Sequence, residues 1–290
     1  MTQARNHGER TSGLPTLYVV ATPLGNLGDI TLRALEVLKN VDTIAAEDTR
    51  VARRLLDRYG VATPLFALHE HNEQHATQKI IRLLEEGKSV ALVSDAGTPA
   101  VSDPGARAVA AVRAAGHPVV PLPGASAVVC ALSVAGFDAS HWLFYGFLPA
   151  SATARRRELD ALKALPYTLI FYEAPHRVLA SVTDIAQAFG AQRRITIARE
   201  LTKLFETVHS CALGDAAAWL AADPARMKGE FVLIVEGAQW QAAGEIETDR
   251  MLEILLRELP LKQAARLTAE ISGARRNDAY SRALQLKKKS

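Results

Sequence analysis

VALVSDAGTPAVSDPG (90–105) decides how this chain is read: the apolar run Val90-Ala91-Leu92-Val93 stops at a turn rich in glycine and proline. A parallel strand that hands over to a helix has this form. The arrangement occurs earlier as well, where Leu17-Tyr18-Val19-Val20-Ala21 runs into TPLGNLGD (22–29), and a third turn follows at PGASA (123–127). Open α/β sheets take up small ligands at such strand ends. Glycine in the turn lets backbone N–H groups approach a ligand closely. One turn of this kind is weak evidence, whereas three point to a small-molecule pocket built from backbone.

Outward from these turns, strand-like runs at 17–21, 42–46, 65–68, 89–93 and 118–121 alternate with helical periodicity at 31–39, 49–59, 73–86 and 103–115. Thr31 and Thr49 read as N-caps, Ser102 or Asp103 as the cap of the helix after the second turn, and Gly60, Gly87 and Gly116 as helix stops. Repeated βα units predict a mainly parallel sheet covered on both faces. Later strand candidates lie at 142–147, 167–172, 194–199, 203–211 and 231–236, with helices near 125–135, 153–165, 175–189 and 214–222. No helix separates 194–199 from 203–211, which predicts a mixed sheet with an antiparallel portion. The stretch 237–248 reads as a linker. Helical patterns at 249–258, 262–271 and 277–286 follow, punctuated by Pro260 and Gly273, with a spacing like that of a helix-turn-helix, a pattern that any small structural cap also shows.

The chain of 290 residues, 49% hydrophobic and 22% charged, has the composition of an ordinary globular protein. It has no apolar run long enough to cross a bilayer, and its polar start reads as a disordered extension rather than a signal peptide. Cys130 and Cys211 sit in apolar segments far apart in sequence and read as buried thiols of a cytoplasmic enzyme, with a disulfide as the alternative. No Cys/His spacing suits zinc, and His69, His71 and His75 are too irregularly spaced for a metal site, so no metal is expected. The net charge of +3 hides an asymmetry: residues 250–290 sum to +6 and the remainder to −3. A basic tail on a near-neutral body suits a polyanionic partner, although a solvated helical surface has the same composition.

Several nucleotide signatures are missing. TPLGNLGD has glycines only at 25 and 28 and so lacks the dinucleotide fingerprint, and no phosphate-binding G-x-x-x-x-G-K-[ST] loop or G-x-S-x-G elbow occurs. The remaining chemistry clusters at strand ends. FYEAPHR (171–177) carries Glu173, His176 and Arg177; ARELTKLFET (198–207) carries Arg199, Glu200, Lys203 and Glu206; KGEF (228–231) adds Lys228 and Glu230. In the first half, EDTR (47–50) and HEHNE (69–73) do the same. Ionisable residues at strand ends are poor core material and good cleft material, although salt bridges along a sheet rim are the alternative, above all for Arg199 and Glu206.

With FYGFLP (144–149) and KGEFVLIVEG (228–237) added, these segments span most of Leu17–Gly237, and together they resemble the tetrapyrrole methylase superfamily of S-adenosyl-L-methionine-dependent methyltransferases. The full set is most similar to its members that methylate the ribose 2′-oxygen of a cytidine in 16S rRNA, in the decoding region of the small ribosomal subunit. The resemblance implies an α/β fold: a disordered extension (1–14), two α/β methylase domains (15–122 and 123–240) with a cofactor cleft between them, and a basic helical appendage (246–290). It also implies a cytoplasmic homodimer.

For the cofactor the resemblance points to Pro23, Leu24 and Gly25 in the first turn and to Asp95, Ala96, Gly97, Thr98 and Ser102 in the second. Ala125 and Ser126 stand at a helix N-terminus suited to a carboxylate. Tyr145, Glu173, Ala174, Leu201, Gly229 and Glu230 complete the cofactor set, Tyr145 and Phe147 offering aromatic faces near the sulfonium. Glu173, Glu200 and Lys203 are the acid–base candidates. Glu47, Asp48, Arg50, His71, Asn72, His176, Arg177, Arg275 and Arg276 are expected to meet RNA. Methylation of a tetrapyrrole intermediate and a non-catalytic RNA-binding assembly factor are the competing readings.

Overall fold

The computed structural model describes residues 14–137, 140–238, 243–272 and 276–289. The expected N-terminal extension lies almost wholly outside these residues, as do Gly273 and Arg275. Its first sheet is formed by β1 (Leu17–Val20), β2 (Thr43–Ala46), β3 (Leu65–Ala67), β4 (Val90–Val93) and β5 (Val119–Leu122). Helices α1 (Leu32–Asn40), α2 (Thr49–Arg58), α3 (Glu73–Glu85) and α4 (Ala106–Ala114) connect them. All pairings are parallel, in the order β3-β2-β4-β1-β5. Side-chain alternation divides the strands between two cores. Val20, Ile44, Ala91 and Val93 pack with Ala34, Leu38, Ala52 and Leu56 on one face, and Leu17, Ala45, Val90 and Leu92 pack with Ile80, Leu84, Ala108 and Val112 on the other.

Capping follows the sequence in part. The Thr31 hydroxyl accepts from the Ala34 N–H, but α2 is capped by Asp48, with Thr49 as its first helical residue. Neither Ser102 nor Asp103 caps α4. That helix starts at Ala106 behind Gly105, whose φ of 124° excludes a β-carbon-bearing cap, and Glu73 reaches across from α3 to accept the Gly105 N–H at 3.0 Å.

The second sheet holds β6 (Trp142–Phe147), β7 (Thr168–Glu173), β8 (Arg194–Arg199), β9 (Thr207–Ala212) and β10 (Phe231–Val235). It is accompanied by α5 (Ala127–Val134), α6 (Ala152–Leu162), α7 (Val178–Phe189) and α8 (Leu213–Ala221). Its order is β6-β7-β10-β8-β9; β6 and β7 are parallel, and the other neighbours are antiparallel. The run read as strand 203–211 is a strand only from Thr207, because residues 201–206 fold into a tight turn. Leu169, Phe171, Ile197 and Leu233 face Val182, Ile185 and Leu213, while Ile170, Ala198, Val232 and Ile234 face Val128 and Ala131 of α5. On the helical side Arg155 and Asp184 form a buried ion pair of 2.6 Å, which Arg156 joins at 2.8 Å.

Helices α9 (Ala243–Glu258), α10 (Leu261–Ser272) and α11 (Arg276–Lys289) pack on one another through Leu252, Ala265 and Ala283. Arg282 ties α11 to Asp249 through both carboxylate oxygens. Helix α9 starts six residues inside the segment read as linker. Glu245, Glu247 and Asp249 therefore join the helical unit, which sums to +3 from Ala243 onward. Among the described residues no helix is long and apolar enough to cross a membrane.

Candidate active site

Because β1 pairs with β4, the two glycine turns leave the sheet side by side. An isolated bridge joins them: Thr22 N–H to Gly97 O at 2.8 Å and Gly97 N–H to Thr22 O at 2.9 Å. The Thr98 hydroxyl donates to Ala125 O at 3.0 Å and ties in the third turn. Opposite lies the second sheet. Since β10 runs antiparallel to β7 and β8, its first residues meet the last residues of those strands on one edge. Between the two sheets opens a cleft of ≈ 390 Å³. The first half contributes Leu24, Glu47 and most of Asp95–Asp103, and the second Ser126, Ala127, Phe147, Tyr172–Pro175, Ala198, Leu201 and Glu230–Val232.

Backbone strain gathers at this cleft. Among the described residues, the non-glycine positions with left-handed φ are Ala100 (68°), Ser102 (67°), Glu200 (53°) and Thr202 (65°). Each costs about 1–2 kcal/mol, and all four lie in the loops that face one another here. Gly97 (φ 77°) needs no such expense, and a β-carbon on it would lie 3.4 Å from Leu24 Cδ2. Ser126 precedes α5 without making a side-chain cap bond, so the N–H groups of the first helical turn are not satisfied by a cap; Ser126 and Ala127 line the cleft there.

One wall is acidic. The Asp48 N–H donates to Asp95 at 3.0 Å and the Asp95 N–H to Glu47 at 3.3 Å. Burial raises the Glu47 and Asp95 carboxyls above their usual range. Burial first, and then the Glu47 charge, pushes Asp103 up to about 6. Burial and the neighbouring Asp103 push the Tyr172 hydroxyl to about 12. Phe147 meets the Tyr172 ring edge-on at 5.6 Å.

The opposite rim is an ion-pair network. Lys203 Nζ reaches Glu200 at 3.0 Å and Glu230 at 2.9 Å, and Glu200 also accepts the Glu230 N–H. Burial works against both charges, but the pairing outweighs it, holding the Glu200 carboxyl low and the Lys203 ammonium high. Glu173 is engaged differently. Its carboxylate, 2% exposed, accepts from Arg177 at 2.7 Å, from the Ala174 N–H and from the Ser181 hydroxyl, which anchors the start of α7.

Of the residues singled out from the sequence, Leu24, Asp95, Ala96, Gly97, Thr98, Ser102, Ser126, Glu173, Ala174, Leu201 and Glu230 line the cleft, as does Glu47. Gly25 lies under the Lys203 side chain, and Gly229 (φ 97°) lies against the Glu200 carboxyl. Ala125 stands behind Thr98, and Pro23 is buried beside the bridge. Tyr145 is turned away from the cleft: its ring packs on Phe171 in the opposite core and its hydroxyl donates to Glu158. Phe147 and Tyr172 supply the aromatic surface instead.

The residues expected to meet RNA are scattered. Asp48 and Arg50 pair with each other at the rim, and His71 and His176 are exposed. The Asn72 amide is occupied by His69 N–H and Ala67 O, and Arg177 by Glu173. Arg276 lies on α11 beside Glu270. Asp103, Tyr172 and Phe231 were not selected as site residues, although the alternation along β7 places Tyr172 on the α5 face with Ile170. Among the described residues no group of His, Cys, Asp and Glu is placed to hold a metal ion.

Comparison with known proteins locates two family matches. Residues 16–217 match the Tetrapyrrole (Corrin/Porphyrin) Methylases, and residues 242–287 match the RsmI C-terminal HTH domain. The chain is 51% identical over 280 residues to the ribosomal RNA small subunit methyltransferase I of Pseudomonas aeruginosa, covering 95% of this chain and 99% of that protein. It is 49% identical to the protein of the same name from Escherichia coli O157:H7, covering 97% and 99%. Among solved structures it is similar to a cobalt precorrin-4 methyltransferase of cobalamin biosynthesis (TM-score 0.59, 16% identity, 80% of this chain and 98% of that one). A second likeness is to the methyltransferase CobJ (TM-score 0.58, 20% identity, 78% and 95%). These two likenesses concern the fold.

Proposed function

The chain belongs to the tetrapyrrole methylase family, and from that premise we propose that it transfers the methyl group of S-adenosyl-L-methionine to the ribose 2′-oxygen of a cytidine in 16S rRNA. The decoding region of the small subunit is the substrate in this reading, and the cytoplasm is the place of work. The observation that carries it is the joint occurrence of the interdomain cleft and the three-helix appendage in one chain that relatives named as rRNA methyltransferases match almost end to end.

The cleft residues fit the cofactor. The bridged glycine turns place backbone where a ligand can approach, the first turn of α5 suits a carboxylate, and Leu24, Leu201 and Val232 give an apolar wall. The cofactor supplies an electrophilic methyl group on a sulfonium. The chain supplies orientation, which counts most for an in-line displacement. The ribose oxygen bonds to the methyl carbon as the carbon–sulfur bond breaks, and the hydroxyl proton needs an acceptor. Of the three acid–base candidates, Glu173 has its oxygens occupied, Glu200 is held as a weak base and Lys203 as its cation. In this reading they position the rim and the α7 start. Asp103, a cleft carboxylate with proton affinity near neutrality, is the acceptor we favour.

A homodimer belongs to the same reading, burying exposed apolar side chains such as Leu32, Val129, Val134 and Phe205; a monomer in light scattering at micromolar concentration would contradict it. The activity itself is tested by incubating the full chain with methyl-labelled S-adenosylmethionine and, separately, unmodified small subunits, free 16S rRNA and a uroporphyrinogen. Nucleoside mass spectrometry is expected to find 2′-O-methylcytidine. Label entering the tetrapyrrole and not the RNA would replace this reading with the competing one.

A further inference from the structure

Helix α2 carries four arginines and one acid in ten residues, TRVARRLLDR, a local charge of +3. Ala52, Leu55 and Leu56 face the core, so the charge is confined to the outer surface. Arg50, Arg54 and Arg58 recur every four residues and form one line about 12 Å long, with Arg53 beside it. Arg50 pairs with Asp48, and Arg53 touches Asp57 at a loose 4.0 Å. For the exposed Arg54 and Arg58, no acidic partner is found among the described residues.

The ends of this line are fixed by contacts already described. At its start, the backbone of Asp48 holds Asp95 of the cleft wall. At its finish, Arg58 and Tyr59 line an open groove of ≈ 700 Å³ with Gly25–Gly28 and Thr202–Leu204, and the Tyr59 hydroxyl donates to Leu27 O. Cationic groups one helical turn apart, with Arg54 and Arg58 lacking an acidic partner among the described residues, match the repeating charge of a phosphodiester strand, and backbone contacts of this kind act mainly through charge. We propose that the outer face of α2, through Arg53, Arg54 and Arg58, is the track along which the RNA strand flanking the target nucleotide lies as that nucleotide enters the cleft. The inference rests on the methyltransferase reading above but assigns a surface of the first domain, separate from the helical appendage.

The test uses the full chain with Arg54→Gln and Arg58→Gln combined, and a second protein carrying lysine at both positions. RNA affinity is measured at several salt concentrations, together with KM and kcat for methyl transfer and calorimetric affinity for S-adenosylmethionine. The glutamine protein is expected to show about tenfold weaker RNA binding and a higher KM, with kcat and cofactor affinity unchanged. Its salt dependence should flatten by roughly 0.7 per lost contact on a single strand. The lysine protein should retain most of the affinity. Wild-type affinity and salt slope in the glutamine protein would overturn the track while leaving the methyltransferase reading intact, as would failure of lysine to restore binding. A wild-type protein that neither binds nor methylates RNA would overturn both.

Discussion

The aliphatic stem of Lys203 lies directly on Gly25, so that a β-carbon on the glycine would stand 2.9 Å from Lys203 Cε and closer still to Cγ. A residue in the turn after β1 of the first sheet thereby lies against a cation whose partners, Glu200 and Glu230, both sit at strand ends of the second sheet. Gly25→Ala is expected to displace Lys203 and open the network without unfolding the chain. Turnover should fall by about tenfold or more, since misplacement of a positioned group by an ångström is costly, while the melting temperature stays nearly unchanged. Unimpaired methyl transfer by this variant would remove the network from the mechanism.

Gly97→Val places a β-branched side chain at φ 77° and against Leu24. The Thr22 bridge holds that backbone from both sides, so it cannot relax cheaply. Calorimetry should show cofactor affinity reduced by at least about tenfold in protein that still melts cooperatively, a loss of roughly 1.4 kcal/mol.

Asp103 predicts a pH response with a definite sign. Its folded value of about 6 lies above that of an unfolded aspartate, so the folded state binds the proton more tightly and stability declines as pH rises through this window. Activity should move in the opposite direction, rising through pH about 6 as the carboxylate forms. Asp103→Asn should abolish the acid limb of the rate profile, lower kcat, and stabilise the protein above pH about 6. A profile identical to wild type would exclude Asp103 as proton acceptor.

Arg155 and Asp184 lie far from the chemistry, with side chains 5% and 4% exposed. Arg155→Met leaves Asp184 with Arg156 as its remaining partner, and breaking a buried pair in this way costs about 3 kcal/mol. Denaturant titration should report that loss while activity per folded molecule is retained. Hydrogen bonds and charges from both arginines overcome burial to hold the Asp184 carboxyl low. The pair therefore stabilises above the ordinary carboxyl range, and its contribution fades as pH falls below it.

Strands and the major helices were legible because each buries a periodic face: β4 is buried at all four positions, and α2 alternates Ala52, Leu55 and Leu56 with arginines. The cleft loops were legible as glycine turns. Side-chain direction within them was not. Tyr145 and Phe144 are neighbours on β6 and point to opposite cores, and the register shift between Phe144 and Gly146 then carries Phe147 to the cleft. Asp103 read as a helix cap because Asp-Pro ordinarily starts helices; α4 starts instead behind Gly105, whose N–H is accepted by Glu73, 32 residues away and invisible to local pattern. The extent of α9 was misjudged because Gly244 and the alanines before it look like a linker until Leu252 finds its partners.

The position of β10 also has a consequence in time. The first sheet is complete at Leu122, but β10 is the central strand of the second sheet and ends only at Val235. On a ribosome adding 5–20 residues each second, these points are separated by roughly 6–23 s. Until the end of that interval β7 and β8 lack their shared neighbour, so the strands of the first sheet are all synthesised well before the wall they face. A chain stopped short of β10 lacks the central strand of the second sheet and, with Glu230, Phe231 and Val232, part of the cleft wall.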